Sequence, residues 1–168
     1  DKEQNIPIIY LFHKHEAVKP EEKGNMDYMV YSYLTSMIES MLNTRLEELT
    51  QKADAPFIQA FAGDGDYLLS KTKGAFMGIA AAKEDGILTA TEALMREIER
   101  VRQFGFTASE YARAKADYLR SLEVAYNERD KQRTNSYVKE YVRHFIDNEP
   151  IPGIENEYPL MNQIVPNI

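Results

Sequence analysis

The sequence predicts an α+β fold, an antiparallel-rich sheet with long helices packed on one face. Three observations carry that expectation. Apolar residues recur at three- and four-residue steps over residues 27–52 and again over 111–125. Short β-branched or aromatic runs at 6–12, 57–62, 67–71 and 75–82 are bounded by Gly, Asp and Pro. Strands and helices also come in blocks rather than in strict alternation. At 168 residues the chain has single-domain length, so residues 1–168 are read as one domain.

In order along the chain, residues 6–12 (IPIIYLF) are apolar on both alternating faces and predict a strand covered on both sides or central in its sheet. A polar loop follows. The helix over 27–52 keeps one wide apolar stripe through Tyr28, Tyr31, Leu34, Ile38, Met41, Leu42, Leu46 and Leu49, with Asn25 or Asp27 as its cap. Gly63-Asp64-Gly65-Asp66 and Thr72-Lys73-Gly74 have turn chemistry, which predicts two consecutive hairpins, a three-strand meander. The small residues of 78–82 call for something bulky against that strand, and the Tyr-bearing helix around Tyr111 and Tyr118 is the expected partner.

A helix over 89–104 ends at Gly105. Thr107 and Glu110 then stand at capping-box spacing, with Phe106 and Tyr111 flanking them as a hydrophobic staple. The long helix that follows meets a polar break at 127–136. Its pattern restarts with Tyr137, Val138, Tyr141, Val142 and Phe145 before Pro150 stops it. A short last helix is expected over 158–165, with Pro159 tolerated in its first turn.

Composition excludes several function classes. Net charge is -7 with acids and bases interspersed, not the clustered Lys and Arg of a nucleic-acid surface. Cysteine is absent, which removes disulfides and thiolate zinc sites. No run approaches the roughly 18 apolar residues of a membrane span. The charged DKEQN start and the stop two residues after a Pro predict a domain of a longer protein.

Candidate chemistry is sparse. His13 and His15, with Glu16 beside them, lie two apart on a strand and share a face, so together they could ligate a metal. Two solvent-facing strand-end histidines are the favoured reading, because zinc needs a third ligand and an orienting shell. Asp64 and Asp66 lack the distal Glu of a calcium loop. No phosphate loop, nucleophile elbow, His-Glu-x-x-His or His-x-x-Glu-His is present. The residues by themselves give no catalytic constellation.

Three stretches in order resemble the insulinase-like (pitrilysin-type) zinc metallopeptidases. They are Met41-Leu42-Asn43-Thr44-Arg45-Leu46-Glu47-Glu48-Leu49, the strand region over 60–83, and the helix entry Gly105-Phe106-Thr107-Ala108-Ser109-Glu110-Tyr111. The tail Glu149-Pro150-Ile151-Pro152-Gly153-Ile154-Glu155 is similar to that of large bacterial members. The resemblance implies an α+β domain of the mitochondrial-processing-peptidase type, one of several that pair into halves around a substrate chamber. It implies zinc in a separate catalytic domain and an extracytoplasmic, periplasmic or cell-envelope location.

Active members carry an Arg and a Tyr that steady substrate, in a pattern matched here by Arg45-Leu46 and Leu49. With one residue of gap, Thr50 falls where that Arg would stand, Gln51 at the following Glu and Phe57 at the Tyr. The departures imply a non-catalytic domain, most like the second one, with no metal of its own. Its expected partners are the other domains of the same protease and a peptide substrate. The last, strand-bearing portion of such a domain is expected to lie beyond the chain, which would leave a sheet edge open to a second copy. The alternative reading is an inactive, protease-like assembly module. A third is a metal-binding protein using His13, His15 and Glu16.

Overall fold

Three antiparallel strands, in the spatial order β1 (Ile8–Glu16), β3 (Lys73–Ala81), β2 (Gln59–Asp66), form the sheet around which the first half of the chain is built. The computed structural model describes residues 6–70, 72–131 and 134–168. Its elements are β1 (Ile8–Glu16), α1 (Met26–Thr50), β2 (Gln59–Asp66), β3 (Lys73–Ala81), α2 (Ile87–Phe104), α3 (Ala108–Asn127), α4 (Thr134–Asp147) and α5 (Ile154–Ile164). The α+β class is as expected. The strand count differs from the expected meander.

Gly63-Asp64-Gly65-Asp66 is not a turn but the end of β2, so 57–82 forms one hairpin instead of two. The turn is made by Tyr67, Leu68, Leu69 and Ser70, with Leu68 at φ 55 and the Ser70 hydroxyl oxygen accepting from the Lys73 N–H. Lys71, placed in a strand by the sequence reading, lies outside the described residues. Long-range packing overrides glycine's poor strand propensity here. The Phe61 ring lies across Gly63, where an added Cβ would stand 3.1 Å from it.

β1 also departs from expectation. It is an outer strand, begins at Ile8 and continues through His13-Lys14-His15-Glu16. Ile9 and Leu11 pack on the core, whereas Ile8, Tyr10 and Phe12 on the opposite face are exposed. An apolar residue on each alternating face therefore did not mean two covered faces.

Residues up to Ala17 together with Thr35–Glu110 form one compact unit, and Val18–Leu34 with Tyr111–Ile168 form another. The first unit's core joins Leu42 and Leu46 of α1, Phe57, Ala62 of β2, Ala80 of β3, and Ala90 and Leu94 of α2. Gly78 is small because α2 sits on it: a Cβ there would meet Ile98 Cδ1 at 3.1 Å and Leu94 Cδ2 at 3.3 Å. The bulky partner of the small-residue strand is thus α2, not the tyrosine helix. α2 ends as the sequence predicts, at Gly105 with φ 65, whose N–H donates to Val101 O at 2.8 Å.

The capping box is present. The Thr107 N–H donates to Glu110 Oε2 at 2.7 Å, and the Glu110 N–H donates to Thr107 Oγ1 at 3.3 Å. At the start of α1, Asn25 Oδ1 accepts from the Tyr28 N–H at 2.9 Å.

In the second unit the tyrosine stripe of α3 packs on Tyr33. The Tyr118 ring meets it edge-on at 5.0 Å, and the Tyr111 hydroxyl is 3.0 Å from the Tyr33 hydroxyl. Burial pushes the Tyr118 phenol up to about 12. Tyr28 and Lys23 both donate to the Glu149 carboxylate. α5 starts at Ile154, four residues earlier than expected, which moves Pro159 from a first turn into the helix interior. Gly153, at φ 69, makes that earlier start possible: its carbonyl accepts from both the Asn156 and the Glu157 N–H.

Candidate functional site

The first unit carries every feature with chemical potential that the sequence singled out, and the sheet positions most of them. Side chains of a strand alternate between faces, and directly paired residues share one. The register therefore sets Tyr10, Ile79 and Phe61 in one row and Phe12, Met77 and Gly63 in the next. This face is apolar and largely uncovered. Tyr10 is 54% exposed and Phe61 50%, with Tyr10 stacked on Phe12 at 6.2 Å and Phe12 edge-on to Tyr67 at 5.3 Å.

The opposite face is covered by helices, and beside α2 a groove of about 700 Å³ remains, lined by apolar residues such as Leu11, Phe76, Met95 and Ile98 and by the charged Glu92 and Arg96.

His13 and His15 share that second face, as their spacing requires. His13 lines the groove, and among the described residues the hydrogen bonds are made by His15. Its Nε2 is 2.8 Å from Asp64 Oδ1 and its Nδ1 is 2.8 Å from the Glu16 carbonyl oxygen. The Glu16 carbonyl and then the Asp64 carboxylate hold the imidazole pKa above its ordinary value, against a smaller desolvation effect. The histidine pair and the Gly-Asp run, read separately from sequence, thus meet in space. A contact spanning 49 residues leaves no local signal. Among the described residues, no group of three or more His, Asp or Glu is placed to hold a metal ion. His144 faces the Glu149 carbonyl oxygen through Nδ1 at 2.6 Å.

At the end of α1, Thr50 donates its hydroxyl to Glu47 O at 2.7 Å, and Phe57 is fully buried in the core. Arg45 is bidentate to Glu110, Nε to Oε1 at 2.5 Å and Nη2 to Oε2 at 2.9 Å, and stacks on Phe106 at 4.7 Å. This guanidinium, followed by the Thr107 donors, holds the Glu110 carboxyl down at about 2. Arg45 thus pins α1 to the entry of α3 through the capping box.

The outer edge of β2 was invisible in the sequence. The Asn43 side chain behaves like a neighbouring strand: Nδ2 donates to Ala62 O at 2.7 Å and Oδ1 accepts from the Ala62 N–H at 2.8 Å. Next to it, the Asp64 N–H donates to Glu39 Oε1 at 2.7 Å.

No family model matches the chain. Two curated proteins do. One is the zinc protease PQQL-like of Arabidopsis thaliana, 29% identical over 143 residues, which are 83% of this chain and 12% of that protein. The other is the probable zinc protease PqqL of Escherichia coli (strain K12), 22% identical over 164 residues, covering 98% of this chain and 17% of the relative. The crystal structure of the periplasmic protease PqqL from Escherichia coli superposes with a TM-score of 0.85 at 21% identity, over all of this chain and 18% of that one. A structure of that protease's first half gives the same TM-score and identity, with 35% of its length covered. The chain therefore spans less than a fifth of the full-length relatives, and the structural likeness speaks to the fold. Among the described residues no helix is long and apolar enough to cross a membrane.

Proposed function

From a chain homologous to a segment of zinc proteases, in keeping with its resemblance to the pitrilysin type, we propose a structural, substrate-enclosing domain of a zinc metalloendopeptidase. It forms one 1–168 domain, cleaves nothing by itself, and leaves zinc to another domain of the same protein. The observation that carries the reading is the sheet face exposed at Tyr10, Phe12 and Phe61 and half-buried at Met77 and Ile79. That face offers an extended peptide an apolar, aromatic wall, and apolar patches of this kind mark binding surfaces. Thr50 and Phe57 support the non-catalytic assignment, since Thr50 lacks the charge of the Arg and Phe57 the hydroxyl of the Tyr that steady substrate in active members. The partners are then the protease's remaining domains and a peptide, in a periplasmic setting like that of the PqqL of Escherichia coli. If the chain pairs with a second copy, β1 is the edge available for it.

The test has two parts. Metal analysis and peptide-cleavage assays on the 168-residue chain are expected to find no stoichiometric zinc and no turnover. In the parent protein, a photoreactive residue at position 61 is expected to crosslink a bound peptide. One tightly held zinc per chain, or crosslinking no greater than from position 88, would overturn the reading.

One observation favours the alternative, an inactive protease-like assembly module. α4 carries Val138, Tyr141, Val142 and Phe145 on an exposed stripe, Phe145 at 90%. A parent lacking His-x-x-Glu-His would decide for it.

A further inference from the structure

We propose that His15 is a proton-operated latch that fastens β1 to β2 over β3 at the turn end of the sheet and lets go when its imidazolium loses a proton. The geometry demands two protons. Nδ1 lies 2.8 Å from a carbonyl oxygen, that of Glu16, and Nε2 lies 2.8 Å from a carboxylate oxygen, that of Asp64. Neither partner can donate, so both ring nitrogens must. A neutral imidazole has one N–H, and in either tautomer a nitrogen lone pair would then face an oxygen lone pair at hydrogen-bond distance.

The latch joins strands that are not neighbours. β3 separates β1 from β2, and at this level it contributes Gly74, opposite both His15 and Asp66. Any Cβ at Gly74 would collide with the imidazole, so the ring lies directly over that glycine. Asp64 is braced from its other side, its N–H bonded to the Glu39 carboxylate of α1.

The charged groups around the ring are mostly acidic. Glu16 and His13 come from β1, Asp64 and Asp66 from β2, Glu39 from α1, and Lys73 from β3, where it pairs with the Glu16 carboxylate. This environment favours the cation, in line with the raised pKa described above. The latch's contribution is therefore complete below the ordinary histidine value of 6.5 and is lost as pH rises through the higher folded value. Alkaline release frees the last residues of β1, the strand whose outer edge has no partner among the described residues.

The experiment uses the 168-residue chain with EDTA present, so that metal release cannot mimic the titration. Imidazole ¹⁵N shifts of His15 are followed from pH 5 to 9. In parallel, amide exchange at residues 13–17 and 64–66 is measured and corrected for the intrinsic rate. Expected are a doubly protonated ring at low pH and a loss of protection of about tenfold or more in step with its titration. His15→Gln and Asp64→Asn are expected to show no such step while exchange at Leu46 and Leu94 stays slow. A ring that is neutral throughout, or the same step in Asp64→Asn, would overturn the proposal. Were His15→Gln to unfold, the wild-type ring titration and Asp64→Asn would still decide.

Discussion

Both outer strands of the sheet pair with β3, yet one has its outward backbone groups filled and the other has them bare. Alternate residues in an antiparallel ladder direct N–H and C=O away from the partner strand. In β2 these include Ala62 and Asp64, and side chains of α1 meet them with three hydrogen bonds. In β1 they include Tyr10 and Phe12, and no described residue bonds to their backbone. An unpaired strand edge is a template for another strand. The contrast teaches that a helix can close a sheet as well as cover it, provided it offers an amide or carboxylate at the right level.

Proline separates the two edges most sharply. Ala62→Pro removes an N–H that Asn43 accepts and forces a ring into a buried position, so a loss of about 3 kcal/mol or more is expected in urea denaturation. A loss under about 1 kcal/mol would mean that the β2 edge is not closed as described. Asn43→Ala is next. It strands one donor and one acceptor on fully buried Ala62, for an expected loss of about 2–3 kcal/mol. Asn43→Asp should recover only part of that, since it keeps the acceptor and loses the donor.

A smaller effect is expected from acid. Glu110 is ionised down to a pH of about 2 in the folded chain, below its ordinary 4.5. Its stabilisation is therefore complete above that ordinary value and is lost as pH falls through about 2. Glu110→Gln should flatten that part of the acid-stability curve measured by circular dichroism, and an unchanged curve would remove Arg45–Glu110 from the account. Smallest of all should be Tyr10→Pro, whose N–H bonds to nothing described. A cost within about 1 kcal/mol is expected, as for proline on outer strands generally. If it matched Ala62→Pro, the β1 edge would have to be engaged.

The legible parts of this fold were those written locally. The Gly105 stop and the Thr107–Glu110 box depend on residues within a few turns of one another, and both stand where the sequence set them. The α1 stripe holds through Met41, Leu42 and Leu46, but toward the start of the helix Tyr33 and Met37 are buried while Tyr31, Leu34 and Ile38 are exposed. The strand through Gly63 and Gly65 has the local preference of a turn, and its residues alone predict one. What holds it extended comes from far away: Glu39 and Asn43 on α1, His15 on β1, and β3. For the tyrosine stripe, periodicity gave the face but not its partner, which is Tyr33. His13 and His15 were placed on one face correctly, yet the sequence offered no hint that Asp64 would meet only the second.

Asn43 carries a liability of a different kind, that of chemical ageing. Hydrolysis of its amide would leave a carboxylate that still accepts from the Ala62 N–H but sets an oxygen against the Ala62 carbonyl, weakening a two-point attachment to one point without any change in the gene. Deamidation usually begins when the following backbone nitrogen attacks the side-chain carbonyl. In α1 that nitrogen, on Thr44, is held within the helix and is poorly placed to do so. The helix that delivers the amide to the sheet also protects it, and the useful lifetime of the closed edge is set by how rarely α1 unwinds near residue 44.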